Sequence, residues 1–420
     1  MTEQDVVTAQ GLATEDGLQT EYGLQTEYGL QTEYGLQTEY GLQTEYEDLA
    51  DDRAQACHRM LLRLAGRAPD DLLTRSRDWL ARGEFGDLAR SVAFWVVSQN
   101  AVLTEADAAV LYGLLAEAGA DPSGLTQITL DDFDPFPYYV FASEIPPDLA
   151  GAEKTPGPGS GPAVEQAAVE AVAAEPGAIG LWRAWRFPSD GAPWPPPKRV
   201  FVVEVQAVDE PGVAASVQDW LAAAGEPDPQ VEVYQTGWQL PVYQEFARAY
   251  GELLWAAEAD PGIQVAAVFD EVDASTGPSF RSDHPTLDES EVDKVVQYLN
   301  GGETVLVTQG LMDDVVDTSQ LYCVPMTFRT DGTWIWTEAS AYYAEQHRLQ
   351  PDAGLLAHLR RNDYALPEVD GVAVYRAFQV LQDSADEELM WMFGSEFDET
   401  EPEAEIELEA EPVTELETEP

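Results

Sequence analysis

Between Gly17 and Tyr46 the hexapeptide GLQTEY occurs five times without a change. A six-residue step advances a helix by about 600°, setting successive leucines about 120° apart, so no apolar stripe can form. On a strand the even period sends Leu, Thr and Tyr to one face and Gly, Gln and Glu to the other. Thirty residues make fewer than two coils of a β-solenoid, short of the roughly three units that stacked repeats need. Residues 1–50 are therefore expected to be a disordered segment that gains shape only on binding, for instance as an added strand. A flexible segment of this length reaches about 40 Å on average. It would act as a tether with five equivalent Leu/Tyr contact points.

Charge points the same way. Residues 1–50 hold eleven acids and no base, and residues 395–420 hold twelve acids and no base, which predicts a second disordered acidic tail. The whole chain carries a formal charge of −57, so its surface repels phosphate backbones and anionic lipid, and neither nucleic acid nor membrane is expected as a partner. Two cysteines, Cys57 and Cys323, do not make a disulfide scaffold. The longest apolar run, Val92 to Val97, is far below the ~20 residues of a bilayer span. With no basic or apolar leader at the start, a cytoplasmic location is expected. Three lysines against eighteen arginines, with abundant Ala, Gly and Pro, suggest a GC-rich host, and the acidity would also suit a salt-adapted one.

Between the two ends the pattern predicts an α+β or α/β protein. Residues 51–125 read as a small bundle of four helices: Leu61, Leu64 and Ala65 share a face, Pro69 opens a second helix, and Thr104 with Asp107 caps a fourth. Residues 126–162 read as a turn-rich connection ending in the Pro/Gly linker GAEKTPGPGSGP. Residues 163–394 alternate strands (Leu181–Phe187, Val200–Val208, Val231–Tyr234, Val265–Phe269, Thr304–Thr308) with helices (Val213–Ala224, Val242–Glu258, Asp288–Leu299), the pattern of a mixed sheet covered by helices. A hairpin then joins Val324–Phe328 to Thr333–Trp336 through Asp331-Gly332, followed by a helix capped by Thr337 and two more helices.

No residues form a complete catalytic or cofactor motif, and no cofactor is expected. The glycines of the linker have neither a preceding strand nor a following lysine, so they make no phosphate cradle. Asp270, Asp273 and His284 follow a predicted strand end, where a metal-assisted hydrolase could place its ligands. The plainer reading of these acids is a solvated loop. Asp313, Asp314 and Asp317 form a weaker cluster, and Cys57, Cys323, His347 and His358 are too loosely arranged for nucleophile or zinc chemistry. Arg59, Arg63 and Arg67 share one helix face, which either forms intrahelical ion pairs or docks an acidic surface. Trp334 and Trp336 point the same way from a strand, beside Tyr342 and Tyr343. They either pack a core or make a recognition face, and the contact face is placed here, on the hairpin and the helix after it.

The segment VPMTFRTDGTWIW (Val324–Trp336), followed by Ala341-Tyr342-Tyr343 and by Leu355–Arg360, resembles a C-terminal module of uncharacterised actinobacterial proteins. Some members look like companions of polymorphic toxins. The resemblance spans about residues 199–380 and implies an actinomycete-type host and a partner-binding, immunity-like role. It supplies no catalytic residues, and the GLQTEY array and acidic tail lie outside it. The expectation is a non-enzymatic protein-binding adaptor with a multivalent tether, and the alternative is the hydrolase on Asp270, Asp273 and His284.

Overall fold

The computed structural model describes residues 53–132, 138–146, 162–189, 195–206, 209–273 and 275–384. The GLQTEY array and the acidic tail lie outside these residues. What is described is an α+β fold with two principal sheets.

The first sheet is built on the strand β2 (Ala178–Pro188). Along one edge it pairs antiparallel with β3 (Lys198–Val205), which runs parallel to β4 (Gln230–Gln235) across a helical crossover, α6 (Glu210–Ala223). Its other edge is shared between β1 (Tyr139–Ala142) and β5 (Glu252–Ala256). The Val-rich runs of β3 and β4 are buried on both faces, which is why they read as continuous apolar stretches. Phe201, Val203, Val231 and Val233 pack under α6 and the helix α5 (Pro162–Ala174). Val200, Val202, Trp182 and Tyr234 face the other way, into one core with Leu61, Leu64 and Val92.

That second face corrects the reading of residues 51–125 as a separate bundle. Its four helices, α1 (53–64), α2 (Asp70–Ala81), α3 (Phe85–Gln99) and α4 (Glu105–Glu117), share their core with the sheet. Polar ties reinforce the join. The Arg186 guanidinium grips both oxygens of Asp70 at 3.0 and 2.7 Å and lies 4.5 Å above the Tyr139 ring. Arg77 and Glu232, both fully buried, meet at 2.6 Å, and Gln244 Nε2 donates to the second Glu232 oxygen at 2.9 Å.

His58 is buried in the same join, with Nε2 2.7 Å from the Val233 carbonyl. Burial pulls its pKa down to about 4, against the opposing pull of that carbonyl. An unfolded histidine would take up its proton near pH 6.5, so the unfolded chain binds more protons between these values. The His58 contribution is therefore complete above pH 6.5 and falls by about 3 kcal/mol by pH 4. Urea midpoints of the wild type and His58→Gln across this window should diverge, with the variant losing less on acidification; parallel curves would refute the assignment.

The second sheet runs β6 (Gln264–Val265), β13 (Trp334–Thr337), β12 (Phe328–Thr330), β9 (Glu303–Leu306). The expected hairpin at Asp331-Gly332 forms, with Gly332 at φ 83°. Its strands are β12 and β13; Val324–Pro325 (β11) pairs instead with Leu311–Met312 (β10). Against this sheet lie α8 (Glu289–Gly301), α9 (Glu338–His347) and α10 (Ala353–Arg361). A last helix, α11 (Gly371–Ser384), spans both halves: Val372 and Tyr375 join the first core, and Ala377 and Leu381 join Phe328 and Ile335 of the second sheet. Its first amide, Gly371 N, donates to both oxygens of buried Glu204, at 3.0 and 2.8 Å.

Candidate functional site

The residues expected to form a contact face are mostly interior. Trp336 is 1% exposed, and its indole Nε1 donates to the Leu299 carbonyl at 2.9 Å. Trp334 packs in the same core, and Tyr343 is buried under Phe269 and Phe280. The two tryptophans do share a face of the strand, as alternation requires, but α8 and its neighbours cover that face. The arginine stripe is engaged by the chain's own residues, although Arg59 stays exposed. Arg63 grips both oxygens of Asp107 on α4, with Nε to Oδ2 at 2.7 Å. Arg67 donates to the Val102 carbonyl, and Arg59 lies 4.2 Å above the Trp238 ring. Spacing put the three on one helix face, but the helix ends at residue 64, so Arg67 lies in the turn beyond it, and the partners come from α4, from the residue Val102 before it and from Trp238.

The proposed acid/base group is only half assembled. Asp270 Oδ2 meets His284 Nδ1 at 2.8 Å and accepts from the Arg281 amide at 2.8 Å. Burial opposes ionisation of Asp270, yet the Arg281 amide and His284 hold its carboxyl below the usual range. The other ring nitrogen, Nε2, sits 3.0 Å from the Gln350 carbonyl, so both sides of the imidazole are engaged. Asp273 does not join them. It is exposed, and its Oδ1 accepts from Ser275 and Thr276 in a turn that holds its pKa down at about 2. Among the described residues no three His, Cys, Asp or Glu side chains converge as metal ligands.

What the fold does build is a clamped loop over α9, between Met312 and Cys323. Asp314 is its hub. Oδ1 accepts from the Val316 and Asp317 amides at 2.7 and 3.1 Å, an arrangement that turns the chain without secondary structure. Oδ2 faces His347 Nε2 at 2.5 Å and accepts from the Tyr342 hydroxyl at 3.1 Å. Burial works against the Asp314 charge, but the His347 bond and the two amides outweigh it and keep the carboxyl below its usual range. An ionised carboxylate only accepts, so the hydroxyl of Tyr342 points at Asp314. The Cys323 thiol, 3.2 Å from that hydroxyl, is then the donor to its oxygen. Asp313 Oδ1 takes the Tyr322 amide at 2.8 Å, and the Tyr343 hydroxyl takes the Val315 amide at 3.2 Å.

These clamps hold apolar side chains out in water. Tyr322 is 74% and Leu321 59% exposed, and Val316, Leu311 and Val307 stand exposed nearby. Tyr322 adopts φ 50°, the left-handed region that a bulky residue rarely takes. The neighbouring Met312, Val315 and Cys323 point inward to the core of Phe269 and Tyr343, so the loop is anchored on one side and apolar on the other.

Sequence reasoning named Asp314, Cys323, Tyr342 and His347 without connecting them. Asp314 and His347 lie 33 positions apart, and residues 309–323 carry no periodic pattern. The available signal was the interleaving of acids with apolar residues in LMDDVVD, followed by the apolar LYC.

No family model, no curated protein and no solved structure matches the chain. No helix among the described residues is long and apolar enough to cross a membrane.

Proposed function

We propose that this chain is a non-enzymatic protein-binding protein that meets its partner through the clamped loop, with the GLQTEY array as a multivalent tether. The observation that carries the reading is the outward display of Leu321 and Tyr322 on a loop tied down by Asp313 and Asp314. Exposed apolar groups grouped on an ordered loop mark an interaction site, and rigid anchors lose little conformational freedom on binding. An immunity-like role fits the same surface, and the overall charge of −57 would steer a basic partner toward it.

The test is quantitative capture from host lysate by the full chain, by the chain with Leu321→Asp and Tyr322→Asp, and by the chain lacking residues 1–46. The same protein should be enriched at least tenfold less by the loop variant, at an unchanged thermal midpoint. Removal of the array should lower recovery of a multimeric partner several-fold. Equal recovery by the full chain and the loop variant would discard the assigned face.

A further inference from the structure

The helical layer carries a second open surface that the clamped loop does not use, apolar at its Phe94 end and more polar at its Phe85 end. A hollow of about 340 Å³ lies between α3 and α4, floored by buried Ala93 and Leu115 and rimmed by Val97 and Phe94, the latter 77% exposed. A second hollow, of about 290 Å³, adjoins it beside Phe85, Gly86 and Leu114, and Arg90 lines both. Phe85 and Phe94 are nine residues apart on one helix, about 13 Å along its axis and about half a turn apart around it, so Arg90 and the facing residues of α4 join the two hollows.

The described chain begins beside this surface. Arg53 sits 4.9 Å above the Phe85 ring and pairs with Glu117 at 2.6 Å, and both partners line the second hollow. Arg53, the first described residue, therefore stands at the mouth of the groove. The last repeat copy, Gly41–Tyr46, ends seven residues upstream, a stretch of at most about 25 Å. In an extended copy, Leu42 and Tyr46 lie on one face about 13 Å apart, a span that reaches from one hollow into the other across their shared Arg90.

We propose that this groove is a docking site for the chain's own GLQTEY motif, with Tyr46 in the hollow at Phe85 and Leu42 in the hollow at Phe94. The polarity follows from the path of the chain, because Tyr46 is the end nearer Arg53. The alternation sends Glu45 away from the groove, which suits a rim holding Glu84, Asp87, Glu117 and Asp121. Apolar burial is thus provided mainly by the hollow at Phe94, and the acidic rim works against the charge of the repeat, so docking strengthens as salt screens the acids. A short tether holds the motif at an effective concentration in the millimolar range, enough to fill a shallow site that a free peptide would occupy only weakly. The nearest copy is parked while the others stay available.

The test places a photo-crosslinking phenylalanine analogue at Tyr46 in the full chain. It is run on mixed light and heavy isotope-labelled protein, with peptides identified by mass spectrometry. Irradiation should link residue 46 to the Phe85–Phe94 segment within one chain, more strongly at high salt. Phe94→Glu, a change at an exposed position, should cut that link at least fivefold while leaving the thermal midpoint unchanged. Links scattered over other surfaces, links indifferent to Phe94→Glu, or light–heavy links alone, which would mean that a second copy fills the groove, would each overturn the proposal.

Discussion

Arg77→Met should destabilise the fold by about 3–5 kcal/mol, the cost of leaving one member of a buried ion pair alone. Glu232 has no exposed surface in the fold, and without the guanidinium only Gln244 Nε2 still donates to it. The pair itself is not the source of the stability. The Nε and Nη1 atoms of Arg77 are buried without a hydrogen-bond partner, so the desolvation of the guanidinium is only partly offset. Arg77→Met combined with Glu232→Leu should therefore recover most of the loss or exceed the wild type, because an apolar pair carries no stranded charge. Urea unfolding of both singles and the double closes the cycle. A double variant as unstable as the sum of its singles would contradict this account.

Trp336→Ala should cost a similar amount, about 3–5 kcal/mol, as a large buried aromatic is lost and the cavity relaxes only in part. The ring has no slack around it: a Cβ on Gly302 would stand 2.4 Å from its Cζ2, so the residue opposite has to be glycine. The Leu299 carbonyl also loses the indole donor. Tyr322→Ala, by contrast, removes an exposed ring and should change the thermal midpoint little while weakening partner capture. The contrast tests the relocation of the contact face from the tryptophans to the loop. A Trp336→Ala protein with an unaltered midpoint and impaired capture would restore the original face.

How far these features were legible depended on whether their cause is local. The valine runs of β3 and β4 and the Thr104 cap, whose hydroxyl accepts from the Asp107 amide at 3.0 Å, are set by neighbours in sequence and could be read there. The stretch Val242–Glu258 could not. It was expected to be one helix, but the helix stops at Ala249 and Glu252–Ala256 turns back as an edge strand on β2. The break is at Gly251, where any Cβ would fall 2.6 Å from the Ala247 carbonyl oxygen and 3.0 Å from that of Arg183. Its need for glycine arises partly from the end of its own helix and partly from a strand far away in the chain. Tyr139–Ala142 was hidden for the same reason, since a four-residue strand in a turn-rich stretch is defined only by its partner, Trp185–Pro188. The helix Pro162–Ala174 had a local signal, its alanine content, which the adjoining linker composition masked. Of the candidate residues, spacing grouped the two tryptophans and the pair Arg59 and Arg63 by face, whereas Arg67 falls in the turn after the helix. Spacing could not say whether a face meets water or another helix, and that difference separates a docking stripe from Arg63 bound to Asp107.

The last helix gives this architecture a temporal order. Strand β4 and helix α2 meet across 155 positions, and the two sheets are bridged by residues 371–384, which leave the ribosome after every strand they touch. Until that helix seats its first amide on Glu204, each half is exposed along the seam that Val372 and Leu381 will cover. A nascent chain is thus a pair of open halves awaiting a bolt, and a stop anywhere before residue 371 should yield not a shorter working protein but two sticky faces for chaperones to hold.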